Sequence, residues 1–153
     1  MKTLELKIPP ALVFGLVVWL MWWIASLDTI HFVNTELGRI LFWILSGIGV
    51  LFGVAGLYSF YRARTSIDPH KPDKASSLVT TGVYRITRNP MYVGLAIILI
   101  GWAFRLGSLV SMMGVVIFVF YITHFQIIPE ERAMQEKFGK AFEAYKSSVR
   151  RWL

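Results

Sequence analysis

Cysteine is absent from all 153 residues, which removes disulfides, thiolate metal sites and cysteine nucleophiles and leaves the redox compartment open. Histidine is scarce, with three in the chain. His31 and His70 fall on different loops and His124 lies in an apolar run, so no His/Asp/Glu group has metal-ligand spacing and no metal is expected. Acidic residues are few, nine against sixteen Lys and Arg. There is no alternation of strand and helix patterns, which excludes a doubly wound sheet. Gly47-x-Gly49 followed by Gly53 stands inside an apolar run and not at a strand-to-helix turn, so it is no dinucleotide fingerprint. Gly49-xxx-Gly53, with Gly56 below it, fits close helix packing, either within one bundle or across a homodimer. Internal repeats and low-complexity segments are missing.

The abundance lies in apolar residues: 56% of the chain is hydrophobic and the mean hydropathy is +0.57, more than one soluble core of this size can absorb. Four runs, 10–27, 37–61, 90–104 and 108–128, read as transmembrane helices of an all-α integral membrane bundle. The third is short for a hydrocarbon layer that needs about 20 helical residues. The run 10–27 is long for a secretory h-region, carries Trp19, Trp22 and Trp23, and lacks a small-residue cleavage site, so it is read as a retained helix. The brief turn at Arg105, Leu106 and Gly107 predicts a tight hairpin of the third and fourth helices.

Charge is distributed by segment. Residues 62–88 hold six Lys/Arg against two Asp, whereas 28–39 hold one Arg against two acids. The positive-inside rule then places the loop 62–89 and both termini in the cytoplasm, in a multi-pass topology. A net charge of +7 is accounted for by orientation and contact with membrane lipid, and no nucleic acid is expected. The stretch 65–82, with Pro69, Pro72, Ser76, Ser77, Thr80 and Thr81, has loop composition, and a loop of that length in a small protein is often functional. Met134, Phe138, Ala141, Phe142, Tyr145 and Val149 recur at spacings of three and four, predicting one amphipathic C-terminal helix over 129–149 against the cytoplasmic face of the bundle.

Two constellations carry chemistry. Arg88-Asn89-Pro90-Met91-Tyr92-Val93-Gly94 stands where the basic loop enters the third helix. Piece by piece it reads as helix architecture: Asn89 as cap, Pro90 in the first turn, Tyr92 in an aromatic belt. Functionally, the unpaired amides of a helix start with Arg88 make a seat for a carboxylate, and Gly94 lets a ligand or a backbone approach. Glu130-Glu131 follow Pro129. They complement a helix dipole, or one of them faces inward to hold hydroxyls or an ammonium group. His124, one turn from the same end, either bonds to a neighbouring helix or lines the pocket; Tyr121, His124, Ile128 and Glu131 share a face only if the helix runs straight through Pro129.

Taken together, Leu78-Val-Thr-Thr-Gly-Val-Tyr-Arg85, Arg88-Asn-Pro-Met-Tyr-Val-Gly94, Glu130-Glu131, Phe138-Gly139 and Tyr145 through Arg151-Trp152 resemble the isoprenylcysteine carboxyl methyltransferase family, whose wider relatives include membrane phospholipid methyltransferases. The likeness covers about the last ninety residues. Asn89 stands where the family often has histidine, Phe142 where tyrosine is frequent, and Arg150 where a proline is usual. The resemblance implies S-adenosylmethionine as cofactor, bound by Tyr84, Arg88, Asn89, Pro90, Tyr92, Gly94, His124, Glu130 and Glu131. It implies a lipophilic or lipidated methyl acceptor meeting the cofactor at the cytoplasmic boundary, with Arg85, Glu131 and Arg151 in catalytic or acceptor-orienting roles and Arg64 as a further candidate. Phospholipid N-methylation is the alternative activity, and a non-enzymatic membrane scaffold the alternative class.

Overall fold

The computed structural model describes residues 5–28, 32–63 and 77–153. Arg64, His31, His70, Pro69, Pro72, Ser76 and most of the expected loop lie outside the described residues. Helices α1 (Pro10–Leu27), α2 (Thr35–Arg62), α3 (Pro90–Leu106), α4 (Met113–Ile122), α5 (Ile128–Phe138) and α6 (Lys140–Ser148) make an all-helical bundle. Short 3-10 turns precede α3 and α4, and a π-turn over Thr123–Ile127 joins α4 to α5, so that one helical run extends from Val110 to Phe138.

Three helical runs, Pro10–Leu27, Thr35–Arg62 and Val110–Phe138, are long and apolar enough to cross a membrane. The apolar part of the third ends at Ile128, because Glu130, Glu131, Arg132, Glu136 and Lys137 crowd α5 and a helix so charged cannot lie in hydrocarbon. With 17 residues α3 is about 26 Å long, a little under a hydrocarbon core of about 30 Å. It is the best-buried helix, with Tyr92, Val93, Gly94, Ala96, Leu99, Gly101 and Ala103 covered. It sits between α2 on one side and α1 and α4 on the other. Its main partner is α2 and not α4, so the short turn at Gly107 does not make the dominant hairpin.

The α2–α3 contact is built on absent side chains. The buried residues of α2 are Gly38, Gly49 and Gly56, placed respectively against the Phe104 carbonyl, the Gly94 carbonyl, and Pro90 with Met91. Gly101 of α3 returns the contact against Leu45 and Phe42. Without a hydrophobic driving force between helices in lipid, close backbone approach supplies the packing attraction. Gly49 is therefore spent inside the chain, which removes it from an interface with a second copy; Gly53 has nothing within 4 Å of its Cβ position.

On the other side, Val13, Val17 and Met21 of α1 pack with Tyr92, Ala96, Leu99, Ala103, Phe118, Ile122 and Ile127. Outward-facing Trp19, Trp22, Trp43, Leu51, Val116 and Phe120 stay exposed, an apolar surface that only lipid can cover. At one end Asp28 accepts a 2.7 Å bond from Ser108 Oγ. At the other, a second cluster joins Val79, Tyr84, Phe142 and Tyr145, with Met134, Phe138 and Val149 packed against it. The expected face of the C-terminal segment is recovered apart from Ala141, which is exposed. The single helix expected over 129–149 is two, because Gly139 at φ 51°, ψ −123° breaks it.

The glycine seam yields a paired test. Gly94→Ala drives a methyl into the Gly49 carbonyl of the backbone and is expected to cost about 1–3 kcal/mol. Gly47→Ala meets nothing within 4 Å and should gain up to about 1 kcal/mol from helix propensity. Thermal unfolding of both variants in detergent checks the opposite signs.

Candidate active site

The entry to α3 is occupied by the C-terminal tail. The Arg88 N–H donates to the Arg150 carbonyl at 3.0 Å. Thr87 Oγ1, fully buried, donates to the Arg151 carbonyl at 3.2 Å and accepts from the Asn89 N–H at 3.2 Å. Asn89 was expected to cap the helix, but its side chain makes no capping bond and its Nδ2 donates to the Arg151 carbonyl at 2.9 Å. The tail carbonyls thus bind the residues just before α3 and not its first-turn N–H groups. Pro90 does occupy the first turn.

Glu131 is the centre of the arrangement. Its Oε1 accepts from Arg88 Nη2 at 2.7 Å and from Arg151 Nε at 3.1 Å; its Oε2 accepts from Arg151 Nη2 at 2.7 Å. Arg151 thus grips the carboxylate in a two-pronged fork. The Arg88 and Glu131 side chains retain 8% and 12% of their exposure, Arg151 34%. Arg88 also donates through Nη1 to the carbonyls of Lys146 and Val149, which leaves its Nε as a buried donor without a partner. Burial pulls the Glu131 carboxyl up, but the hydrogen bonds and charges of Arg151 and Arg88 outweigh it and hold it below the usual carboxylate range. The same bond to Glu131 holds Arg151 above its ordinary value.

Glu130 faces a different way. Tyr92 Oη donates to its Oε1 at 2.7 Å, and burial of the carboxyl pushes its pKa up to about 7, the bond from Tyr92 opposing and the Glu131 charge adding. Nearby, Tyr145 Oη donates to the Tyr84 carbonyl at 2.7 Å, and burial raises both phenols well above their ordinary value. Two guanidinium groups around one ionised glutamate leave a net positive site, and its neighbour Glu130 titrates near neutrality. Such a pair of carboxyls, set apart by environment, can hold an anion beside the arginines and take up a proton at Glu130.

Of the residues singled out from sequence, Arg88, Asn89, Glu131 and Arg151 meet in one network, and Tyr92 with Glu130 forms its neighbour. Tyr84 is buried and joins through Tyr145. Pro90 packs against Gly56, and Gly94 against Gly49, so the close approach at Gly94 is to the backbone of α2 and not to a ligand. His124 is exposed, its Nδ1 2.9 Å from the Phe120 carbonyl of its own helix and its ring stacked on Phe120. The face shared by Tyr121, His124, Ile128 and Glu131 does not form, because the π-turn changes the helix phase. Arg85 is exposed at a shallow groove with Thr80, Ala141, Ala144, Tyr145, Ser148 and Val149, which adjoins the Glu131 network through the Val149 carbonyl that Arg88 holds. Thr87 and Gln126, both fully buried, were missed. An isolated Thr or Gln at a helix end carries no periodic signal, and their partners are backbone carbonyls distant in sequence.

A family model for phospholipid methyltransferase matches residues 37–141. An uncharacterized protein of Haemophilus influenzae is 44% identical over 63 residues, which are 41% of this chain and 100% of that protein.

Removing Glu131 leaves the Arg88 guanidinium buried and uncompensated, so Glu131→Ala is expected to cost about 3–5 kcal/mol, and Arg151→Ala, whose partner keeps Arg88, about 1 kcal/mol. The sign with pH follows from the lowered Glu131 pKa. Its contribution is complete above the ordinary glutamate range and is lost as pH falls through the folded value. Unfolding by denaturant between pH 7 and pH 3 should show the stability difference between the wild type and Glu131→Ala shrinking as pH falls, the opposite trend from the raised Glu130 pKa being common to both proteins and cancelling in the difference.

Proposed function

The chain belongs to the phospholipid methyltransferase family, and from that premise we propose that it methylates the amino headgroup of a membrane phospholipid with S-adenosylmethionine as donor. The coarser statement, that this is a membrane methyltransferase, follows from the family and the apolar helices. The observation that carries the finer reading is the Tyr92–Glu130 pair, set beside a positive network at the end of the apolar helices.

The donor set fits the methyl donor. Arg88 Nε is a buried donor in want of an acceptor, in a site of net positive charge, which suits the methionyl carboxylate. Glu131 and Glu130 are the groups suited to its ammonium or ribose hydroxyls. Asn89, Tyr84 and Tyr92 border the same region. When bound, S-adenosylmethionine supplies an electrophilic methyl carbon on a sulfonium.

The protein's own part is alignment and proton handling. A lipid amine is protonated near neutral pH and must lose a proton before it is a nucleophile. Glu130, with its pKa near 7, is matched to accept that proton, and Tyr92 Oη holds its carboxylate in place. Arg151 and Arg85 are the cations available to a lipid phosphate. The acceptor enters from the bilayer, which requires no water-filled path. The basic segment and both ends of the chain then face the cytoplasm, by the positive-inside argument.

The test is incubation of the purified protein with radiolabelled S-adenosylmethionine and aminophospholipid vesicles. Label is expected in the lipid fraction and should remain non-volatile on mild base, which cleaves esters and leaves N-methyl bonds intact. The rate should rise with pH through about 7 as Glu130 ionises, and Glu130→Gln should lower kcat about 10²–10⁴-fold. Label released by mild base as volatile methanol would move the acceptor to a carboxylate, as in isoprenylcysteine methylation. Absence of any transfer or donor binding would overturn the reading in favour of a scaffold.

A further inference from the structure

The π-turn between α4 and α5 is held by both ends of the chain. Pro129 has no N–H to give the Phe125 carbonyl, and the Leu6 N–H supplies that bond at 3.0 Å. Gln126, fully buried inside the turn, donates from Nε2 to the Ile8 carbonyl at 2.7 Å. Thr123 Oγ1, at the start of the turn, accepts from Trp152 Nε1 at 3.1 Å. Glu5 reaches Arg132 one turn further on, at 3.4 Å. Leu6 holds φ 56°, a conformation that a leucine adopts only when its surroundings insist on it.

This grip decides where the glutamates point. An α-helix turns about 100° per residue, and a π-turn inserts one extra residue, so α5 is rotated by about 100° from the phase that a straight continuation of α4 would give. In the observed phase Glu130 meets Tyr92 and Glu131 meets Arg88 and Arg151, while His124 faces out. In a regular helix each later residue would stand one position on, so Glu130 would take the place of Glu131 beside Arg88 and Arg151, Glu131 would turn away from them, and Tyr92 would lose its carboxylate.

We infer that Gln126 is a positioning residue for the reaction: by pinning the π-turn to the N-terminal segment at Ile8, it sets the rotation of α5 that brings Glu130 and Glu131 into the site. The kinetic consequence rests on the methyltransferase reading; the geometric one does not. The groups facing Glu130 are Tyr92 from α3, Tyr84 from the turn before it, and Glu131 on its own helix. Loss of the phase removes Glu130 from all but the last.

Gln126→Met keeps the length and deletes the amide. It is expected to lower kcat about tenfold and to raise KM for S-adenosylmethionine severalfold, because Glu131 moves together with Glu130. The midpoint of the acidic limb of the rate profile should fall by about one pH unit as Glu130 leaves its buried place against Tyr92. Carbodiimide labelling of Glu130 and Glu131, read by mass spectrometry, should quicken. Leu6→Gly keeps the N–H and suits the positive φ, and should retain wild-type kcat and labelling. Thr123→Val, which loses the Trp152 anchor and the bond from Thr123 Oγ1 to the Val119 carbonyl of its own helix, loosens the same turn from its other side and gives a second perturbation should Gln126→Met not fold, with the same shifts expected. Wild-type labelling and an unmoved limb in a folded Gln126→Met or Thr123→Val overturn the inference. Quickened labelling in a chain whose wild type transfers no methyl group would sustain it and sink the functional reading alone.

Discussion

A single carboxylate ties together three parts of the chain that are far apart in sequence. Glu131 receives Arg88 from the entry of α3 and Arg151 from the tail, and the backbone bonds around it stitch residues 87–89 to 146–151. In a low-dielectric setting such a charge is tolerable only with its partners in place. The tail, α5 and α3 must therefore assemble in one arrangement or expose several buried charges at once. This favours a unique geometry at the point where the site chemistry is concentrated.

The helices beneath serve that geometry in a different way. Lipid covers the apolar exterior, so hydrophobic burial does not distinguish one helix pairing from another. The α2–α3 seam relies on Gly38, Gly49, Gly56, Gly94 and Gly101, whose lack of side chains lets backbones touch. That contact holds α3 upright in the centre of the bundle and fixes Arg88, Asn89 and Tyr92 at its end. From α3, Tyr92 reaches across to Glu130, so packing within the membrane and acid-base chemistry at its edge share one helix.

The two glutamates, adjacent in sequence, have unlike environments. One is held ionised by two guanidinium groups, the other is buried against a phenol and titrates near neutrality. Separation of roles by environment is a common way for one pair of carboxyls to bind and to accept protons. Here it depends on the rotation of α5, and so on the π-turn that the chain ends grip.

The amino-acid order by itself determined the membrane class, the four apolar runs and the Pro90 helix start, and it singled out Arg88 and Glu131, while Arg151 entered through the family resemblance. Each follows from local quantities: hydropathy over about 20 residues, charge per segment, proline stereochemistry, and motif spacing. Tertiary structure alone decided that Asn89 serves the tail instead of its own helix, that His124 faces outward, and that Gly94 packs on α2. The reason is that each of these turns on a partner remote in sequence or on helix phase. A one-residue change in phase at the π-turn swings every later side chain by about 100°, and nothing in the local pattern between Thr123 and Pro129 announces it.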